Sequence, residues 1–160
     1  MDLGLKDKIA FVAASSRGLG AATARQLARE GAKVVINSRD AARLNATADS
    51  IRQETGAQVL AVVGDVNSVT DIERMIGETA NHFGALDIVV TNSGGPPVDS
   101  TISTTKRGRA RRTRYLILSN SIRLAVIGLI KSLALELGNE GIRFNSILPT
   151  FTETERVIEL

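Results

Sequence analysis

The segment KIAFVAASSRGLGAATARQLAREG, residues 8–31, decides the fold. It opens with an apolar run at residues 9–13, which is short enough to be a buried strand. A turn of small residues follows. From Gly20 onward apolar residues recur at helical spacing until Gly31, where a left-handed C-cap is expected. This order of strand, glycine turn and helix predicts an anion site, because unpaired N–H groups and the positive end of the helix dipole meet at the helix N-terminus.

The rest of the chain alternates between short apolar runs and segments with helical periodicity. Such alternation is typical of right-handed crossovers and of a parallel sheet with helices on both faces. We therefore predict an α/β fold, a doubly wound parallel sheet of the Rossmann type, in a single dinucleotide-binding domain over residues 1–160. The further predicted strands lie at 33–37, 58–63, 86–91 and 143–148, and the predicted helices at 41–55, from a cap at Ser68 or Thr70 to 83, and at 119–137.

Composition narrows the function classes. The chain has no cysteine, which excludes disulfides, zinc-thiolate sites and cysteine nucleophiles, and we predict no metal site. Its single histidine, His82, lies near a predicted helix end, which is an ordinary place for a histidine. The first eight residues are too short and too charged for a signal peptide, and no apolar run is long enough to span a membrane. These features predict a cytoplasmic protein with no membrane partner.

The positive charge is local. The net charge is +3, but residues 106–114 alone contain six lysines and arginines, so the remainder of the chain sums to −3. This run sits in an aberrant basic segment, residues 98–115, which lacks the interleaved aromatic residues of a nucleic-acid site apart from Tyr115. The pattern favours a solvated loop, and no nucleic-acid partner is predicted.

Four motifs follow predicted strands in order, and together they resemble the short-chain dehydrogenase/reductase family, in particular its 3-oxoacyl-carrier-protein reductases. The glycine motif matches AASSRGLG at 13–20, with Ala14 in place of the first glycine. Asp65-Val66 resembles the family's adenine-binding pair, TNSG at 91–94 its Asn-Asn-Ala-Gly turn, and PTFTET at 149–154 its segment near the nicotinamide. The resemblance implies that the cofactor is bound by Ala14, Ser16, Arg17, Gly18, Leu19, Gly20, Ser38, Arg39, Asp65, Val66, Asn92, Ser93, Gly94, Thr152 and Thr154.

The residues after the second strand bear on the choice of cofactor. An NAD site usually has an acidic residue there, whereas this chain has Asn37, Ser38 and Arg39. Arg39 and Arg17 could bracket a 2′-phosphate, because guanidinium groups bind phosphate bidentately. Asp40 lies one position later than an NAD site requires, although its side chain could swing back. The prediction is therefore NADP(H); the alternative is that both arginines are solvated turn residues.

The catalytic positions depart from the family pattern. The family's reaction uses a tyrosine and, four residues later on the same helix, a lysine. Aligning on residues 125–134 puts Ser119 and Arg123 at those positions. A serine hydroxyl is a much poorer acid than a phenol, and arginine is effectively never deprotonated. Tyr115 lies eight positions before Arg123, about 12 Å along a helix against about 6 Å for the usual pair, so it is a poor substitute.

Spacing indicates that an element is missing. Only 26 residues separate Asn92 from Ser119, where the family has a long helix and a strand, and the sequence stops before the family's last strand. An internal deletion, residues absent from the printed sequence or a frameshifted gene would each give this pattern. We expect a sheet that is incomplete in its second half.

Two functions follow from the resemblance. The first is an NADP(H)-dependent oxidoreductase that reduces a small-molecule carbonyl or oxidises a secondary alcohol, as a homo-oligomer. The alternative is a catalytically impaired nucleotide-binding relative that lacks the tyrosine and lysine pair.

Overall fold

The computed structural model describes residues 2–93, 117–149, 152 and 154, and for residues 117–123 it describes the backbone alone. The chain forms two compact units. The first contains the described residues up to 93 together with Thr154, and the second contains residues 117–149 and Thr152.

The first unit is a parallel sheet flanked by helices. Its strands are β1 (Ile9–Val12), β2 (Lys33–Ser38), β3 (Val59–Val63) and β4 (Ile88–Val90). Its helices are α1 (Gly18–Arg29), α2 (Ala41–Thr55) and α3 (Val69–Phe83). The second unit contains α4 (Ile117–Leu137), which is followed by a 3-10 turn at Gly138–Glu140.

The strand order is β3-β2-β1-β4, and every pairing is parallel. The chain first moves outward from β1 to β3 and then returns to the other side of β1. In the register Val12 pairs with Ile36 on one side and with Val90 on the other, so β1, β2 and β4 end at the same edge. This topology confirms the predicted doubly wound parallel sheet.

Both faces of the sheet are buried. Val34, Ile36 and their neighbours pack against α1 and α2 on one face, while Phe11, Val35 and Val62 pack against Met75 of α3 on the other. Since helices cover both faces, successive residues of β1 and β2 are buried on alternate sides, and the two strands are continuous apolar runs rather than alternating ones. Each fully buried aliphatic side chain stabilises the fold by about 1.5–3 kcal/mol. Alanines 24 and 28 face the sheet, and their small side chains let α1 approach it closely.

The ends of α2 and α3 follow local rules. Asp40 accepts a hydrogen bond from the Arg43 N–H at 3.0 Å, and Ser68 accepts one from the Asp71 N–H at 3.2 Å. The two helices end at Gly56 and Gly84, both left-handed. Ser68, not Thr70, is therefore the cap of α3.

The predicted strand at 143–148 is wrong. Residues 142–149 have no regular secondary structure, and Ile147 and Leu148 are 90% and 58% exposed. A strand needs a neighbour to bond its backbone, and no strand in the described part of the chain pairs with this segment.

The fourth strand is also shorter than predicted. The basic segment at 98–115 and Gly94 lie outside the described residues, and the single-domain assignment stays a prediction.

Candidate functional site

The candidate site lies at the carboxyl edge of the sheet, between β1 and β4. The strand order reverses at this point, and in open parallel sheets the crevice at such a reversal is where ligands bind. Residues 13–17 follow β1 and residues 91–93 follow β4, so these two loops flank the crevice. The site is thus formed by the glycine turn that the sequence singles out and by the turn after β4.

The glycine turn is tightly folded. Ala14 and Gly18 both have left-handed backbone angles, with φ of 46° and 57°. A Cβ added to Gly20 would lie 2.5 Å from the Ala14 carbonyl oxygen and 2.8 Å from Asn92 Nδ2. Only glycine fits there, because α1 begins in direct contact with the turn.

Asn92 joins the end of β4 to this turn. Its side-chain amide donates hydrogen bonds to the carbonyl oxygens of Ala13 at 3.3 Å and Ala14 at 3.1 Å. The Ala13 N–H in turn donates to the Val90 carbonyl at 3.0 Å. These bonds hold the two loops of the crevice together.

The N-terminus of α1 differs from those of α2 and α3. Its N-cap residue, Arg17, has an extended backbone, and its side chain does not make a capping hydrogen bond. The first turn of α1, all of which is described, carries no acidic residue. Its orphan N–H groups and the positive end of its dipole are therefore compatible with an anion. Gly20 itself lets this end of α1 lie directly against the turn.

A buried hydrogen-bond network connects the glycine turn to the neighbouring strands. Ser15 Oγ donates to the Val12 carbonyl at 2.6 Å and accepts from the Asn37 N–H at 3.0 Å. The Asn37 side chain accepts from the Ala14 N–H at 3.3 Å and donates to the Gly64 carbonyl at 3.0 Å. Ser15 and Asn37 are 0% and 1% exposed, so the network fixes the turn with respect to β2 and β3.

Polar and charged groups line the edge beyond β2 and β3. The Ser16 hydroxyl donates to Ser38 Oγ at 3.0 Å. Arg39 Nη1 lies 3.6 Å from Asp65 Oδ2. Hydrogen bonds from the backbone and side chain of Asn67, and the Arg39 guanidinium, hold the pKa of Asp65 below its usual value. The carboxylate is therefore ionised at neutral pH.

Comparison with known proteins identifies the family of this chain. The family model for short chain dehydrogenase matches residues 8–116. The chain belongs to the short-chain dehydrogenase family. The family comprises oxidoreductases with a nicotinamide cofactor, and its fold is the one described above.

Individual relatives give the extent of the likeness. Hydroxynaphthalene reductase arp2 of Aspergillus fumigatus is 31% identical, over 96% of this chain and 69% of its own. A short-chain dehydrogenase/reductase from Serratia marcescens, solved as a mutant, is 26% identical with a TM-score of 0.79, over 95% of this chain and 77% of its own. L-sorbose reductase from Gluconobacter frateurii, solved with NADPH and L-sorbose, is 29% identical with a TM-score of 0.61, over 82% of this chain but 51% of its own.

The alignment with the Aspergillus reductase also measures the shortening. It runs over 189 positions, whereas this chain has 160 residues, so at least 29 positions of the relative have no counterpart here. This number is large enough for the missing element that the sequence predicts, and its place between Asn92 and Ser119 stays a prediction.

Most of the residues predicted to bind the cofactor lie in the first unit. They follow the carboxyl ends of its four strands or begin α1: Ala14, Ser16, Arg17, Gly18, Leu19, Gly20, Ser38, Arg39, Asp65, Val66, Asn92 and Ser93. Thr154 belongs to the same unit and Thr152 to the second. Ser119 and Arg123 lie four positions apart in the backbone of α4, in the second unit. The roles assigned to all these residues stay predictions.

The interpretation of the sequence missed the supporting role of Ser15 and Asn37. It treated Asn37 only as the position at which an NAD site carries an acid. The sequence did contain a signal for this role, because Asn37 is a polar residue at the end of the apolar run KVVIN. A residue in such a run is expected to be buried, and a buried amide needs hydrogen-bond partners.

His82 lies away from the crevice. It packs edge-on against Phe83 at the end of α3, and the Lys33 ammonium at the start of β2 lies 5.9 Å from the centre of the Phe83 ring. A shallow depression lined by Leu60, Glu78, Asn81 and His82 is likewise at this opposite end. Among the residues described, no group of side chains could hold a metal ion, and no helix is long and apolar enough for a membrane crossing.

Proposed function

We propose that this chain binds NADP(H) at the crevice between β1 and β4, as the cofactor of an oxidoreductase acting on a carbonyl or a secondary alcohol. One observation carries the choice of cofactor: a basic residue, Arg39, follows β2 where a site for NAD would have an acid. L-sorbose reductase, a relative of similar fold, has been solved with NADPH and L-sorbose.

Each part of the cofactor has a set of residues suited to it. The glycine turn and the first turn of α1 would hold the pyrophosphate, and Ser38, Arg39 and Arg17 the 2′-phosphate. Asp65 and Val66 would contact the adenine. Asn92, Ser93, Gly94, Thr152 and Thr154 are proposed for the nicotinamide side. When bound, the cofactor supplies hydride transfer; the protein supplies position and electrostatics.

Ser119 and Arg123 are the proposed catalytic residues of α4. The serine hydroxyl could donate a hydrogen bond to a substrate oxygen, and the guanidinium could hold a ribose or phosphate oxygen. Neither can exchange a proton as readily as the phenol and ammonium of the usual pair. This departure favours a second candidate function, in which the chain binds the nucleotide without turnover.

Affinity measurements test the choice of cofactor. We expect the intact protein to bind NADPH about tenfold or more tightly than NADH, because a charge-assisted bond to phosphate contributes about 1.5–3 kcal/mol. Arg39→Gln should remove most of this preference. Arg29→Gln is the matched control, since Arg29 is an exposed arginine at the far end of α1 and pairs with Glu54 at 3.6 Å. Equal affinity of the wild-type protein for the two dinucleotides would contradict the proposal.

Turnover separates the two candidate functions. NADPH oxidation is followed against a panel of ketones and aldehydes, with Ser119→Ala as a variant. Turnover that falls in Ser119→Ala supports the enzyme. Tight NADPH binding with no turnover on any substrate supports the impaired relative.

We also propose a homo-oligomer in the cytoplasm. Apolar side chains of α4 support this proposal, because Leu124 and Leu135, which are 69% and 76% exposed, lie eleven positions apart and therefore on the same side of the helix. Light scattering coupled to size exclusion measures the molecular mass, and a monomer at micromolar concentration would contradict the proposal.

A further inference from the structure

We propose that Asp65 limits how strongly the site prefers a phosphorylated dinucleotide, because its carboxylate competes with the cofactor's 2′-phosphate for the Arg39 guanidinium. The inference rests on the proposed NADP(H) site and adds a residue that tunes the specificity of that site. It concerns a role of Asp65 that is separate from the adenine contact.

Sheet register brings the two side chains together. Strands β2 and β3 are parallel neighbours, and Ser38, the last residue of β2, pairs with Val63, the last of β3. Arg39 and Asp65 follow these two strand ends directly. Their charged groups meet at 3.6 Å, between Arg39 Nη1 and Asp65 Oδ2.

The two partners are held very differently. Asp65 Oδ1 accepts two hydrogen bonds from Asn67, each at 2.9 Å, and the Asp65 N–H donates to Asp71 Oδ2 at 2.8 Å. The Asp65 side chain is 34% exposed, whereas that of Arg39 is 77% exposed. The carboxylate is thus fixed by its own loop, while the long arginine side chain can turn toward another anion.

The neighbouring acid does not take the place of Asp65. Asp40 caps α2 through the Arg43 N–H and lies 3.7 Å from Arg43 Nη2. The carboxylate that faces Arg39 therefore comes from the end of β3 and not from the chain beside it.

Competition for the Arg39 guanidinium lowers the affinity for NADPH but not that for NADH. An exposed ion pair is weak, so a phosphate can displace Asp65 from Arg39, but the favourable energy of that ion pair is lost when NADPH binds. NADH has no 2′-phosphate and is not subject to this competition. Removing the Asp65 charge should therefore raise the affinity for NADPH relative to that for NADH.

The test is the ratio of NADPH to NADH affinity in Asp65→Asn, measured by titration calorimetry. We expect the ratio to rise about two- to fivefold, a size typical of a single exposed ion pair. A lost adenine contact would weaken both dinucleotides alike and cancel in the ratio. The matched control is Asp49→Asn, which removes an exposed carboxylate paired with Arg52 at 2.6 Å on α2 and should leave the ratio unchanged.

A double variant tests the competition itself. In an Arg39→Gln background, Asp65→Asn should no longer change the ratio, because nothing remains to compete for. A change that persists in full overturns the proposal, since the carboxylate would then act by repulsion alone. Asp65→Ser provides a second variant that keeps an acceptor for Asn67, and it should shift the ratio in the same direction.

The outcomes separate this inference from the proposed function. If the wild-type protein prefers NADPH and the ratio stays unchanged in both Asp65 variants, this inference is overturned alone. If the wild-type protein binds neither dinucleotide, or binds both equally, the proposed function is overturned and this inference with it.

Discussion

At the scale of single residues, the glycine turn depends on backbone conformations that residues with a side chain rarely adopt. Ala14 has a φ of 46°, in the left-handed region where a Cβ costs about 1–2 kcal/mol. The hydrogen bonds from Asn92 to the carbonyls of Ala13 and Ala14 and from the Ala14 N–H to Asn37 hold this conformation. The turn is thus maintained by its neighbours and not by its own preference.

Gly20→Ala should damage this turn. Its Cβ would meet the Ala14 carbonyl oxygen at 2.5 Å, so the turn or α1 must move. We expect the free energy of unfolding in urea to fall by about 1–3 kcal/mol, as in other overpacked sites, and NADPH affinity to fall with it.

Gly77→Ala is the control for this substitution. Gly77 lies within α3 and a Cβ there meets nothing within 4 Å, so the exchange should stabilise the protein by about 0.5–1 kcal/mol. If the two variants lose the same stability, or if Gly20→Ala loses none, the close approach of α1 to the turn is refuted.

At the scale of elements, Asp87 fastens the start of β4 to the start of β1. Its Oδ2 accepts a hydrogen bond from the Ile9 N–H at 2.8 Å, and its Oδ1 lies 3.0 Å from Lys8 Nζ. The Ile9 N–H first, and then the Lys8 ammonium, hold the pKa of Asp87 below its usual value. The ionised carboxylate therefore stabilises the fold above the usual aspartate pKa of about 4, and this stabilisation is lost as the pH falls through the lower, folded-state pKa.

Asp87→Asn should lower the free energy of unfolding at pH 7. The deficit against the wild-type protein should shrink as the pH falls below about 4, because both proteins then lack the charge. Urea unfolding over a series of pH values measures this. Lys8→Met should keep most of the pH dependence, since the Ile9 N–H is the larger cause. A deficit that is constant with pH would argue against this role of Asp87.

At the scale of the whole molecule, the residues assigned to the cofactor and those assigned to catalysis fall mostly in different compact units. The first unit contains the turn, the crevice and the charged edge, and the second contains Ser119 and Arg123 in α4. At least 29 positions of a family relative have no counterpart in the chain. This division is why binding and turnover need separate tests.

Cofactor binding should be visible as stability of the whole protein. A ligand at a hundredfold excess over its Kd adds about 2.7 kcal/mol, so saturating NADPH should raise the melting temperature by roughly 5–10 °C. NADH at the same concentration should raise it less. A melting temperature that NADPH leaves unchanged would contradict the proposed site.

The sequence by itself determined the elements of the first unit. Apolar runs such as KVVIN, the caps of α2 and α3 and the left-handed glycines at 31, 56 and 84 are local signals, because each depends on residues a few positions apart. The predicted bounds of α2 and the end of α3 are confirmed for this reason, as is the position of the glycine turn.

Only the tertiary structure decided which distant residues meet. The pairing of Arg39 with Asp65 and the network of Ser15 and Asn37 depend on strand register, which local patterns do not encode. The same reason explains the failed strand at 143–148: an apolar run becomes a strand only when a neighbour bonds its backbone, and none of the described strands does so.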